Sequence, residues 1–196
     1  MATARILLLL LCTAPAFGHW LPERDLLSSG PRSTRTLSPA LSADAAIPYS
    51  RSAPSAATLI ALAEKELGVR ELRGKNEGPQ VEVYLRYVGL GKGHAWCAAF
   101  VSWLHGQAEF AQPRSGWSPA LFPASKQLKA AAPGAVLGIY VPALKRIAHV
   151  GLVTGLRQDW VQSIEGNTNP AGSREGDGVY KRLRHRRSIS KYAFFL

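Results

Sequence analysis

Cysteine is scarce in this chain, with two in 196 residues, Cys12 and Cys97. Acidic residues are scarce as well, 13 Asp and Glu against 24 Lys and Arg, which gives a formal charge of +11. Neither a paired-cysteine spacing nor a His-Glu-x-x-His pattern occurs, so no zinc motif is written in the sequence. There is no internal repeat, which sets aside repeat architectures. The apolar run from Ile6 to Cys12 is too short for a permanent membrane span. Preceded by Arg5 and followed by the small residues Thr13 to Gly18, it reads as a secretory signal peptide, residues 1–18, with cleavage after Ala16 or Gly18. Leu11 stands where a lipoprotein signal carries a small residue, so no lipid anchor is expected at Cys12.

Removal of that leader leaves Cys97 alone, and an internal disulfide becomes impossible. A single cysteine in an exported protein points to intermolecular pairing or to a reactive thiol. The excess of positive charge would suggest nucleic acid in a cytosolic protein. For an exported one it suits anionic cell-envelope polymers, phospholipid head groups or lipopolysaccharide. With a leader present and no recognition helix or stacking motif, nucleic acid is not expected as a partner. The basic run Lys181 to Arg187 reads equally as a solvated strand and turn or as a binding patch.

Residues 19–55, rich in Ser, Pro, Ala and Arg, read as a flexible linker, and the folded domain is expected over residues 56–196. Leu59, Leu62, Ala63 and Leu67 share one stripe of an amphipathic helix that Gly68 stops. Val81, Tyr84, Leu85 and Val88 keep helical spacing up to Gly89. From Trp96 to Leu104 only Ser102 is plainly polar, so a third helix is expected to be buried nearly all round. Cys97 falls in its first turn, where unpaired N–H groups and the helix dipole favour a thiolate. Residues 112–123 form a long loop with three prolines, and its Trp117 reads equally as a groove wall or as a cover for the core. Strands are expected at 135–141, 149–154, 160–165, 178–183 and 192–196. Helices first and a meandering sheet afterwards make an α+β fold.

If residues 149–154 and 160–165 form a hairpin centred on Arg157, Val153 faces Val161, Gly151 faces Ser163 and His149 faces Glu165. One face then carries an imidazole, a carboxylate and, just beyond, the Asn167 carboxamide. With the buried helix laid on that face, Cys97 becomes a candidate nucleophile and His149 its base. Glu165 or Asn167 would orient the imidazole, and the Cys97 N–H would supply an oxyanion donor. His94, in the loop before Cys97, and Trp96 and Trp117 are the expected substrate contacts.

Three segments in order, Trp96-Cys97-Ala98-Ala99-Phe100-Val101-Ser102-Trp103, His149-Val150-Gly151-Leu152-Val153 and Glu165-Gly166-Asn167-Thr168, resemble the CHAP domain. That family belongs to the papain-like NlpC/P60 group of cysteine peptidases and amidases. Gly68-Val69-Arg70-Glu71, Asn76-Glu77-Gly78 and Tyr84-Leu85 are similar to the leading part of such domains. The resemblance covers residues 56–196. It implies a papain-like α+β fold with the catalytic cysteine at a helix N-terminus, and cleavage of peptidoglycan amide bonds. In it Cys97 is the nucleophile, His149 the base, Glu165 the ring-orienting residue and Asn167 a further polar group of the active site. No metal or organic cofactor is implied. Ala135 stands where these domains often carry an acidic residue, and the segment 142–147 before the histidine strand is long and basic. A secreted antibacterial amidase and a non-catalytic wall-binding module are the competing readings.

Overall fold

The computed structural model describes residues 54–171 and 176–196. The expected signal peptide lies outside the described residues, as does all of the expected linker except Pro54 and Ser55. The Ser55 hydroxyl accepts from the Thr58 N–H (3.2 Å) and caps α1, Ala56–Lys65. Pro79 opens α2, Pro79–Tyr87, at a position where a missing N–H costs nothing. The third helix, α3, runs Cys97–Gln107 and buries eight of its eleven residues. Its Phe100, Val101 and Leu104 pack against Leu59 of α1 and against Tyr84 and Leu85 of α2. Truncating a buried aromatic such as Phe100 to alanine would remove about 3–5 kcal/mol.

Six antiparallel strands follow: β1 (Gln127–Leu128), β2 (Val136–Val141), β3 (Arg146–Arg157), β4 (Trp160–Thr168), β5 (Gly178–His185) and β6 (Lys191–Ala193). They form one sheet in the order β1-β6-β2-β3-β4-β5. The three helices and five of the strands fall where spacing and composition place them. Only the two-residue β1 has no counterpart in the sequence reading, being too short to show a period. Among the described residues, no helix is long and apolar enough to cross a membrane.

The β3–β4 hairpin departs from the expected register. Its turn is Gln158–Asp159, so Arg157 faces Trp160 and Leu156 faces Val161. A bulge at Thr154 then sets Val153 opposite Ser163 and Leu152 opposite Ile164. Gly151 consequently lies against Glu165, and a Cβ there would stand 2.4 Å from the Glu165 Cγ. A shift of two residues keeps every side chain on its expected face, since the strand period is two. The helix, however, lies on the other face. Val150, Leu152 and Ile164 join α3 in the main core, whereas Val153 and Val161 belong to a smaller cluster with Ala135, Leu137 and Ile189. The reason is the hydrophobic effect: the more apolar face of the hairpin takes the apolar helix, and the face bearing Ser163 and Glu165 turns away from it.

Candidate functional site

Three devices set the start of α3. The helix has no side-chain cap within its own segment; instead Asn167, at the end of β4, accepts the Trp96 N–H on Oδ1 (3.1 Å). Asn167 has a left-handed backbone (φ 54°), a conformation asparagine tolerates better than most residues. Its Nδ2 donates to Asn76 Oδ1 (3.0 Å) and Glu71 Oε1 (3.3 Å). Glu71 also accepts the Trp96 indole N–H (2.8 Å) and the Asn76 N–H (2.8 Å). Gly166 completes the arrangement, because a Cβ there would come within 2.6 Å of the Trp96 ring.

Trp96 is therefore fully buried, stacked on Tyr84 and set edge-on to Phe100. It cannot touch a substrate, which corrects its expected role. Its indole is held inside by apolar packing and by a carboxylate partner for its one donor. Asn167 likewise holds the helix start through the Trp96 backbone.

The Cys97 thiol is 4 % exposed and sits against β3, its Sγ 4.0 Å from the Ala148 carbonyl and 3.6 Å from the Ser118 hydroxyl. In β3, Ile139 of β2 faces His149 and Tyr140 faces Ile147, so Ala148 is an extra residue and the strand bends there. His149 gives Nε2 to Glu165 Oε2 (2.7 Å), which leaves Nδ1 for the thiol. Glu165, wholly buried, also accepts from Ser163 Oγ (2.7 Å) and from Arg184 Nε (3.0 Å) and Nη2 (2.6 Å). The forked guanidinium is the strongest geometry for such a pair.

These contacts fix the charges. Burial alone would push the Glu165 carboxyl up, but Arg184 and His149 hold it well below the usual carboxylate range. Burial would pull His149 down; Cys97 and Glu165 instead raise it to about 10. Burial would push Cys97 up, and the imidazole beside it, with the Ser118 hydroxyl, brings it below the ordinary thiol value. The site thus sets a thiol held below its ordinary value beside an imidazole held above its own, backed by the Glu165–Arg184 pair.

Cys97 opens onto a cleft of 410 Å³, which His94, Trp117, Ser118, Arg146 and Ala148 also line. His94 and Trp117 are exposed, and both line this cleft. His105 is remote from this chemistry, buried between Phe110 and Phe195. Four residues of the arrangement had no assigned role in the sequence reading: Ser118, Arg184, Glu71 and Asn76. Ser118 adjoins Trp117 in the long loop, whose length was its signal. Arg184 was one of several cations in a run, with nothing to single it out. Among the described residues, no three His, Cys, Asp or Glu side chains come together so as to hold a metal ion.

No family model matches this chain, and no curated protein matches it in sequence. Among solved structures it is similar to that of NlpC1 from Trichomonas vaginalis, with a TM-score of 0.47 and 14% identity. The likeness covers 71% of this chain and 44% of that one, so the chain spans less than half the length of that neighbour.

Proposed function

We propose that the protein is an exported cysteine hydrolase that cleaves amide bonds of peptidoglycan, as a muramoyl-alanine amidase or a stem-peptide endopeptidase. The observation that supports it most is the Cys97 thiol, with Ser118 beside it, at the wall of an open cleft next to His149, whose ring is held by the Glu165–Arg184 pair. The resemblance of the three segments to the CHAP pattern supplies the substrate class. A papain-like NlpC/P60 architecture is the fold reading that goes with it.

In this mechanism the Cys97 thiolate attacks the amide carbonyl carbon, and the oxygen takes the charge. The Cys97 N–H, in the first turn of α3 and without an intrahelical acceptor, is a donor for that oxyanion. As the C–N bond breaks, His149 gives the Nδ1 proton to the leaving amine. A water then attacks the thioester, with His149 taking its proton, and the acid product leaves with the thiolate restored. Glu165 keeps the ring in place through Nε2 and is not itself protonated.

The test is digestion of purified sacculi under reducing conditions with the full chain and its Cys97→Ala variant. Release of muropeptides or free stem peptides by the wild type alone is the expected result, and fragment masses identify the bond. Sedimentation of both proteins with the wall and no release from either would replace the hydrolase with a wall-binding module.

A further inference from the structure

The cleft beside Cys97 contains no Asp or Glu, and Arg146 is the one Lys or Arg among the residues lining it. Among the described residues, Arg146 forms no ion pair. Its guanidinium lies over the Trp117 indole, 4.2 Å from the ring centroid, and Nη1 donates to the Ile147 carbonyl (3.1 Å). A guanidinium laid on an aromatic face keeps its remaining donors in one plane, directed past the ring edge. That is the geometry that takes a carboxylate by two parallel hydrogen bonds.

The indole platform is itself pinned to the catalytic helix. Ser102, the one polar residue in the apolar run of α3, donates its hydroxyl to the Ser115 carbonyl (2.9 Å) and accepts the Ser115 N–H (3.0 Å). The Ser115 hydroxyl in turn accepts the Trp117 N–H (3.0 Å). On the other side Arg146 stands three residues before His149 on the same strand, roughly 10 Å along it. Cation, platform and nucleophile are therefore tied to two adjoining elements, and ordering the cation costs the substrate little.

We propose that Arg146, seated on Trp117, is the receptor for a substrate carboxylate lying one or two residues from the amide that Cys97 attacks. The enzyme then selects stem peptides whose carboxylates are free over the same peptides carrying carboxamides. The inference rests on the proposed hydrolase reading and adds to it which substrates are cut.

The experiment uses the full chain and two synthetic muramoyl peptides of one sequence, one with free carboxylates and one with carboxamides. The wild type is expected to favour the carboxylate peptide in kcat/KM by about 10- to 100-fold. Arg146→Gln should erase that preference, mainly by raising KM, with a loss on the carboxamide peptide at least tenfold smaller. Arg146→Lys, which keeps the charge but not the fork, should recover part of it. Equal rates on both peptides for the wild type, or an equal loss on both for Arg146→Gln, would overturn the receptor. If the wild type cuts neither peptide, the hydrolase reading fails on this substrate class, and titration of both peptides into the Cys97→Ala variant decides the receptor alone. A tighter Kd for the carboxylate form that Arg146→Gln abolishes would sustain it, and equal Kd values would end it.

Discussion

Two histidines, one within the helix that carries the thiol and one on the strand beside it, are driven in opposite directions. His105 is fully buried near the C-terminal end of α3. Its Nδ1 bonds the Val101 carbonyl (2.8 Å), while Nε2 has no partner among the described residues. Burial lowers it to about 4, so it is neutral in ordinary buffers. His149 is also largely buried, yet a carboxylate and a thiol raise it to about 10. Desolvation acts the same way on both rings; a charged partner decides which becomes a cation. A buried histidine on an apolar element is thus core material until a carboxylate reaches it, and here Glu165 reaches only one.

The largest effect should come from removing the ring itself. His149→Ala is expected to lower kcat/KM on muramoyl peptides by about 10⁴-fold or more, whereas His105→Leu should leave it within about threefold. Comparable losses in both variants would dissolve the distinction between the two histidines.

Glu165→Gln tests the partner. It leaves the half-buried Arg184 cation without its counter-charge, at a cost of about 1–3 kcal/mol in urea unfolding. It should also bring the alkaline limb of the pH–rate profile down from near pH 10 toward neutrality, since the imidazolium loses its support. An unmoved limb would assign that limb to some other group.

A third contrast is read in stability rather than rate. The folded pKa of His105 lies below its unfolded value near 6.5, so the unfolded chain binds the proton first and stability falls as pH drops through that window. From pH 7 to pH 5 its contribution is a loss of about 2 kcal/mol, and His105→Leu should remove that loss. His149 has the opposite sign. Its folded pKa is raised, so its contribution is complete below pH 6.5 and disappears as pH climbs toward 10. Urea titrations at pH 5, 7 and 9 on both single variants separate the two slopes.

Much of this was legible in the chain. The unpaired Cys97, the strand beginning near His149 and the Glu165–Asn167 pair pointed to one another through residue type and order alone. The pairing of His149 with Glu165 did not depend on the assumed hairpin register, because a two-residue error preserves the face. The extra residues at Ala148 and Thr154 were not legible, since a bulge is set by tertiary fit and leaves no periodic mark. Nor was the side of the sheet that α3 covers, because alternation separates two faces without saying which one a helix takes. Trp96 illustrates a further limit: an aromatic beside a nucleophile reads as a substrate contact until its indole N–H finds Glu71 in the interior. Arg184 could not be picked from a run of cations without knowing that it stands across the sheet from Val161, on the face of Glu165.

The smallest effect concerns the hydroxyl beside the sulfur. Ser118→Ala removes one donor to the thiolate, worth about 1 kcal/mol, and should raise the Cys97 pKa by less than one unit. A shift larger than that of Glu165→Gln would make Ser118, and not the imidazolium, the main support of the thiolate.

We hold that the Cys97 thiol lies below its ordinary value because the His149 imidazolium, supported by Glu165, stands beside it. This is tested most directly by the pH dependence of iodoacetamide alkylation, mapped by mass to the Cys97 peptide in the full chain and in Glu165→Gln. The wild-type alkylation midpoint is expected below the ordinary thiol value, and Glu165→Gln is expected to displace it upward. A wild-type midpoint near 8.5 that Glu165→Gln leaves in place would contradict it.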